Sequence, residues 1–586
     1  MGRRTVTVLL GCLGAVLTGC AGIPDSGPVQ RGSPVTSQQE PALIAFRPDG
    51  PLPGDSPQQV VEGFLAAMEA YPPSSLVARR FLTSPASANW RPETATSVYS
   101  DHVSKVGVDG SVTLRATMLA TLSAQGSWAS APYGGQTYSR DMELVRVRGQ
   151  WRIGNPPVGS LISSSYFERY YRPYSLYFLA RTRDVVVPDL RYLIERPQTP
   201  TLLVEGLLAG PVARLAPAVD TLVPASTEVN VSVPVSPSGL ADVALSGDVL
   251  TLSGEDRQLL LAQLVWTLRQ VSGITDVRVT AGGAGLEIPG SSGVSSVDTL
   301  PGFDPAGFAA SRSLFGLRGN QLVTISGSQV TPVEGLLGSG DLPAASFAVD
   351  IPGRRAAVVS ADRRSILVST FASDAGDAGQ EADQWYAAGA SSRLLQPSWD
   401  RTGRLWVVEQ TEDGARVAVV RNARSTALEV PGLSGRTVRA LRVARDGTRL
   451  AAVVAVGRSS RLVTAEIIRS SDGSVRAVSR PRPVVSPVLE LDDVVDVGWT
   501  SPTSLAIVAR AGDEGRQPYV VALDGSSVTP ASAVPDAAVT AVAAAANAEV
   551  PVVVGTRDGK LWIQRADLSW ARLAGGSPIR SPAYVG

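Results

Sequence analysis

Histidine occurs once in this chain of 586 residues, at His102. That scarcity excludes a Ser-His-Asp or Cys-His nucleophile system of the usual construction. It also excludes a multi-histidine zinc centre, and cysteine is too rare to supply the ligands. Only Cys12 and Cys20 are present. Lysine is confined to Lys105 and Lys560, so arginine carries nearly all of the 53 basic charges. With Ala, Val and Gly also abundant, this reads as the bias of GC-rich coding rather than as selection for guanidinium chemistry. The 53 acidic residues balance the basic ones to a net charge of +0, so no global field favours nucleic acid. The chain has no GxGxxG fingerprint, no P-loop and no GxSxG elbow. His102 lies in the polar run Ser100-Asp101-His102 and is expected in a solvated loop.

What is present begins with Arg3 and Arg4, an apolar stretch over residues 5–16, and then Leu17-Thr18-Gly19-Cys20. This is the layout of a bacterial lipoprotein signal. Residues 1–19 are expected to be removed, leaving Cys20 with S-diacylglycerol and N-palmitoyl groups on the extracytoplasmic face of the cell membrane. The alternative is an ordinary secretory signal with a chance cysteine. The apolar run is shorter than the about 20 residues that span a bilayer. Once residues 1–19 are lost, Cys20 is the sole cysteine and no disulfide forms.

Residues 20–55 are rich in Pro, Gly, Ser and Gln and read as a flexible tether. Ser56-Pro57 then opens a helix with Val60, Phe64 and Met68 on one face. Alternation at Val112, Leu114, Ala116 and Met118 predicts a strand. A hairpin is expected over 144–153 with its turn at Gly149. Residues 56–160 therefore resemble a helix-led α+β domain of the NTF2-like kind. Residues 161–199 form a Tyr/Arg-rich connector, holding Tyr166, Tyr170, Tyr171, Tyr174, Tyr177 and Tyr192, six of 13 tyrosines. Tyr170, Tyr171, Arg172 and Tyr174 are candidate interaction residues, because Tyr and Arg favour interface hot spots. The alternative is that these aromatics pack one domain against the next.

Residues 200–290 form a second α+β unit. A helix over 202–208 ends at Gly210-Pro211. Val229, Val231, Val233 and Val235 alternate as a strand, and Leu245, Val249 and Leu250 make another around the Gly247-Asp248 turn. Ser253 to Asp256 is a capping box for a helix with Leu260, Leu264 and Leu268 on one side. An edge-like strand follows at Ile274 to Val279. Leu207-Leu208-Ala209-Gly210-Pro211, Val265-Trp266-Thr267-Leu268 and Asp276-Val277-Arg278-Val279 resemble a GerMN domain. Residues 291–311 read as a linker.

From 312 to 586 short strands alternate with Asp-Gly turns at Gly414, Gly447, Gly473, Gly525 and Gly559. A two-strand unit recurs five times at roughly 45–55 residues, the period of β-propeller blades. Residues 581–585 resemble an inner strand with nothing after it, while the strands near 314 and 321 lack one before them. The C-terminal stretch is thus expected to complete the first of six blades. Asp374, Asp377, Glu381 and Asp383 lack calcium-loop order and read as a solvated loop. Asp492, Asp493 and Asp496 lie on an inner strand, where neighbours point to opposite faces. No catalytic residue, metal site or cofactor is assigned.

The order of lipobox, tether, two α+β domains and propeller resembles the LpqB family of actinobacterial lipoproteins over essentially the whole chain. The resemblance implies a non-enzymatic accessory role beside a two-component system. The implied partner is the extracytoplasmic domain of the sensor histidine kinase MtrB of MtrAB, with effects on envelope and cell-division signalling. The partners expected are that kinase, the membrane through Cys20, and a cell-wall ligand, with no nucleic acid. The alternative function is a cell-wall carbohydrate binder or weak hydrolase using the propeller mouth. For it Trp399 and Trp499 are the candidate interaction residues.

Overall fold

Ser56 starts the first helix, α1 (Pro57–Met68), in the way its neighbours dictate. Its hydroxyl accepts from the Gln59 backbone N–H and its own N–H donates to the Gln59 side chain at 2.9 Å, a complete capping box. The computed structural model describes residues 45–107, 111–229, 232–290, 293–307, 312–371, 379–535 and 538–586. Val60, Val61, Phe64 and Leu65 of α1 are buried in one cluster with Ile153 and with Leu114 of the sheet. That sheet comprises β1 (Ala95–Val106), β2 (Val112–Ser123), β3 (Trp128–Ser130) and β4 (Gln136–Met142). After the separate hairpin β5 (Leu144–Val147) and β6 (Gln150–Ile153) comes β7 (Ser160–Ser163). The order is β3-β2-β1-β7, with β4 also on β2 and only the β1–β7 pair parallel. The hairpin turns through Arg148 and Gly149, both at positive φ, as a two-residue turn between twisted strands requires.

The Tyr/Arg-rich stretch is not a connector. It folds as helix Ser164–Tyr170 and a long hairpin, β8 (Tyr171–Ala180) and β9 (Val186–Ile194). Leu176, Phe178 and Val187 of that hairpin are core residues of the second domain. Helix Thr199–Ala209 ends at Gly210 with φ 89. A short β10 (Val219–Asp220) joins β8. Next, β11 (Leu240–Leu245) and β12 (Asp276–Ala281) pair in parallel across helix Gly254–Leu268. That helix is buried at every position from Leu259 to Leu268, not on one side only. The reason is a layer on each flank, and the β8 backbone satisfies its polar positions. Gln263 donates to Tyr177 O at 3.2 Å, and Thr267 Oγ1 accepts from Tyr177 N at 3.1 Å.

Three local expectations change here. Val249 and Leu250 sit in a 3-10 turn, Gly247–Thr251, because Ser246 leads into the turn rather than a second strand. Val229 and Val235 form only isolated bridges; Val231 lies outside the described residues. β12 is interior, since short strands Ala284–Gly285 and Val294–Ser296 pair with it as well.

The remaining strands form six sheets, the blades of a propeller. Blades 2 to 6 open with strands Ala344–Val349, Ser398–Trp399, Val438–Val443, Asp492–Ser501 and Val539–Ala543. Blade 1 is built from both ends of the domain, with Arg580–Ala583 antiparallel to Leu314–Arg318. All five Asp-Gly turns place their glycine at positive φ, where a Cβ is disfavoured.

Candidate functional site

The propeller axis is narrow. First-strand residues of all six blades, among them Ala348, Ser398, Val443, Gly498, Ala543 and Pro582, line a cavity of about 50 Å³. Beside it hydrogen bonds run from blade to blade. Gln396 donates to Phe347 O at 2.9 Å, and Arg442 donates to the Gln396 carbonyl at 2.6 Å. Arg442 also lies 3.4 Å from Asp496, whose other oxygen accepts from Val542 N at 3.0 Å. Burial pushes the Asp496 carboxyl up, against the guanidinium and the two backbone donors that favour its charge. Asp493 turns away to Arg510 and Arg516, at 3.0 and 2.7 Å, and Asp492 is exposed. The three carboxylates therefore do not converge as an acid/base pair.

Both candidate tryptophans are core residues. Trp399 and Trp499 are 1% and 5% exposed. Their indole N–H groups donate to Ala348 O and Arg442 O, each on the preceding blade. They bind blade to blade and offer no open platform for a sugar ring. Glu381 and Asp383 are exposed, while Asp374, Asp377 and Cys20 lie outside the described residues. Among the described residues no three His, Cys, Asp or Glu side chains gather to hold a metal. His102 is in β1, not a loop, at a register irregularity opposite β2. There its Nε2 meets Glu62 of α1 at 2.8 Å.

The tyrosines answer to their neighbours. Tyr170 and Tyr174 are buried, and Tyr170 stacks on Tyr71 with centroids 4.5 Å apart. Tyr171 and Arg172 are half-buried, Tyr171 stacked on Phe167 at 5.1 Å. So this segment is packing between domains, and these residues do not form an open interaction surface. Its focus is Tyr192, absent from the candidate residues. Tyr192 packs with Trp128 and Phe167, donates its backbone N–H to Gly126 O at 2.8 Å, and bonds through its hydroxyl to Ser526 of blade 5. Burial pushes that hydroxyl's pKa up. One side chain thus touches all three domains. Partners at positions 126 and 526 carry no sequence signal for it.

Around that point a cleft of about 940 Å³ opens. The first domain contributes 127–133, the second 212–214, and the propeller residues of blades 4 and 5 with the segment 482–491 between them. Ser130 Oγ donates to Asp524 O at 3.1 Å, and Gly134 N donates to Pro487 O at 3.0 Å. The β8–β9 hairpin also anchors on the propeller. Arg401 meets Asp184 at 3.1 Å, and Arg449 donates to Pro188 O at 2.5 Å. A concave, mainly apolar cleft at a domain junction is where ligands bind.

These features define a class: a multi-domain protein in which two α+β domains are packed onto a six-bladed propeller. Family profiles divide the chain in the same way. "Lipoprotein LpqB, N-terminal domain" matches residues 50–168, "Sporulation and spore germination" matches 175–287, and "Lipoprotein LpqB beta-propeller domain" matches 320–585. Lipoprotein LpqB of Streptomyces coelicolor is 30% identical over 627 residues, covering 100% of this chain and 98% of that one. Those of Cutibacterium acnes and Mycobacterium ulcerans are 29% and 30% identical, covering 98% and 96% of each chain. The chain belongs to the LpqB lipoprotein family.

Proposed function

We propose that the chain is a lipid-anchored extracytoplasmic accessory protein of a sensor histidine kinase, MtrB of MtrAB, acting by binding rather than catalysis. Cys20 carries the lipid, and the three-domain body is presented to the kinase at the membrane surface. The observation that carries this reading is the lipobox Leu17-Thr18-Gly19-Cys20 ahead of a body whose carboxylates are paired or dispersed. Among the described residues no helix is long and apolar enough to cross a membrane, so attachment through Cys20 supplies what a spanning helix would. Binding of the body to one state of the kinase would shift its population. The test is recovery of the kinase from solubilised membranes with the wild-type chain, Cys20→Ala, and domain deletions, together with kinase phosphorylation. Cys20→Ala is expected to leave the membrane fraction and to lose kinase recovery. Kinase recovery and output unchanged in every variant would refute the role.

A further inference from the structure

We propose that the three-domain cleft binds a lipid, seating its hydrocarbon chain against the propeller wall and an anionic head at an arginine-bearing lip. The volume, about 940 Å³, lies in the range of small-molecule sites, roughly 300–1,000 Å³. Leu462, Val484, Leu489, Leu491, Ile507 and Val521 line it. This wall is aliphatic and branched. The cleft's aromatics, Trp128 and Tyr133, stand on the first domain's side and not on this wall, and Trp128 is buried. The wall itself has no convergent donors and acceptors of the kind a nucleotide needs, and a polar ligand would lose hydrogen bonds on entering it. A hydrocarbon chain loses none.

The charges at the cleft point the same way. Arg214, Arg461 and Arg482 border it, against Glu490 and Asp524. Asp524 is occupied locally, its Oδ1 accepting from Ser526 N and Oγ at 3.0 and 2.6 Å. Arg214 stands a loose 3.9 Å from Glu466. Arg461 and Arg482 are exposed and make no ion pair among the described residues. The surplus is cationic, which suits a phosphate or carboxylate head. Phospholipids and polyprenyl phosphates share this chemistry. Lipid binding here does not require the kinase, so either reading can fail alone.

The test uses the full chain in phosphatidylcholine nanodiscs, titrated with dansyl-undecanoic acid, with empty nanodiscs subtracted. A saturable, blue-shifted dansyl signal is expected. Leu489→Glu should weaken it by about tenfold or more, because it places a charge in the aliphatic wall. Arg461→Glu with Arg482→Glu should weaken the carboxylate probe several-fold and leave its methyl ester unchanged; both sites are exposed, so this variant decides the matter if Leu489→Glu does not fold. Displacement by phosphatidylglycerol identifies a bilayer lipid, and displacement by undecaprenyl phosphate a wall-precursor carrier. A signal no greater than that of empty nanodiscs, or equal in wild type and both variants, overturns the proposal. So does displacement by an apolar peptide amide and by neither lipid, which would make the cleft a protein-docking site.

Discussion

Asp400 and Arg469 join blades 3 and 4 through an ion pair of 2.7 Å whose side chains are 0% and 5% exposed. The Trp406 indole N–H also donates to Asp400, at 3.1 Å, while Arg469 donates to Gly447 O and Gly473 O, each at 2.9 Å. One guanidinium thus fixes two Asp-Gly turns and a neighbouring blade. Asp400→Ala is expected to cost about 3–5 kcal/mol, since it leaves that guanidinium buried without its counter-charge. Urea denaturation of the full chain measures this. A cost below about 1 kcal/mol, the scale of an exposed pair, would contradict it.

The same carboxylate gives a pH dependence. Burial pushes Asp400 up, but Arg469, the Thr402 hydroxyl and the Arg404 N–H outweigh it and hold the carboxyl below its usual range. A depressed folded value means stability that is present above the ordinary value of 3.8 and lost as pH falls through the folded one. The stability gap between wild type and Asp400→Asn should therefore be wide near about pH 6 and close on acidification below the ordinary value. A gap that stays constant into acid would show that the charge is not what Asp400 contributes.

Gly525 tests the junction between domains. Its φ is +76, and a Cβ there would stand 2.0 Å from Val485 O and 3.0 Å from Ser130 Oγ. Gly525→Ala should lose about 1 kcal/mol from the left-handed backbone alone, and the clash should part β3 from blade 5. Calorimetry is expected to show the N-terminal domains melting apart from the propeller. An unchanged thermogram would mean the contact is not tight.

Ring closure has its own substitution. A Cβ on Gly316 would lie 2.3 Å from the Ile579 side chain, next to the strand that completes blade 1. Gly316→Val should cost about 1–3 kcal/mol by overpacking. In hydrogen exchange, amides of residues 580–583 should lose protection while those of blade 4 keep theirs. Uniform loss across the propeller would place the strain elsewhere.

Much of the architecture was legible because it is written locally. The Ser56 and Ser253 caps, the glycine ends of helices, the Asp-Gly turns and the blade period each depend on a few adjacent residues. Closure by the C-terminal stretch was legible too, since a strand missing at one end matched a spare at the other. What stayed hidden depends on distant partners. The stretch 161–199 looked like a connector because its hydrophobics are interleaved with arginine. Yet Leu176 and Phe178 find a helix nearly a hundred positions on, and Tyr192 finds Ser526. Trp399 and Trp499 sit beside turns, where exposure is common, but the carbonyls that bury them belong to the preceding blade. The cleft has no sequence signature, since its walls come from three domains.

Pairing of Leu314–Arg318 with Arg580–Ala583 leaves a seam in the ring that is closed by hydrogen bonds and not by the chain. During synthesis blade 1 must wait, one strand short and with a bare edge, until the other five blades exist. A bare edge accepts any strand of matching register, and the closing strand of a second copy matches it by identity. Reciprocal exchange of that strand is therefore the misassembly this topology invites at high concentration. The low cost of lengthening an already long closure loop does little to oppose it.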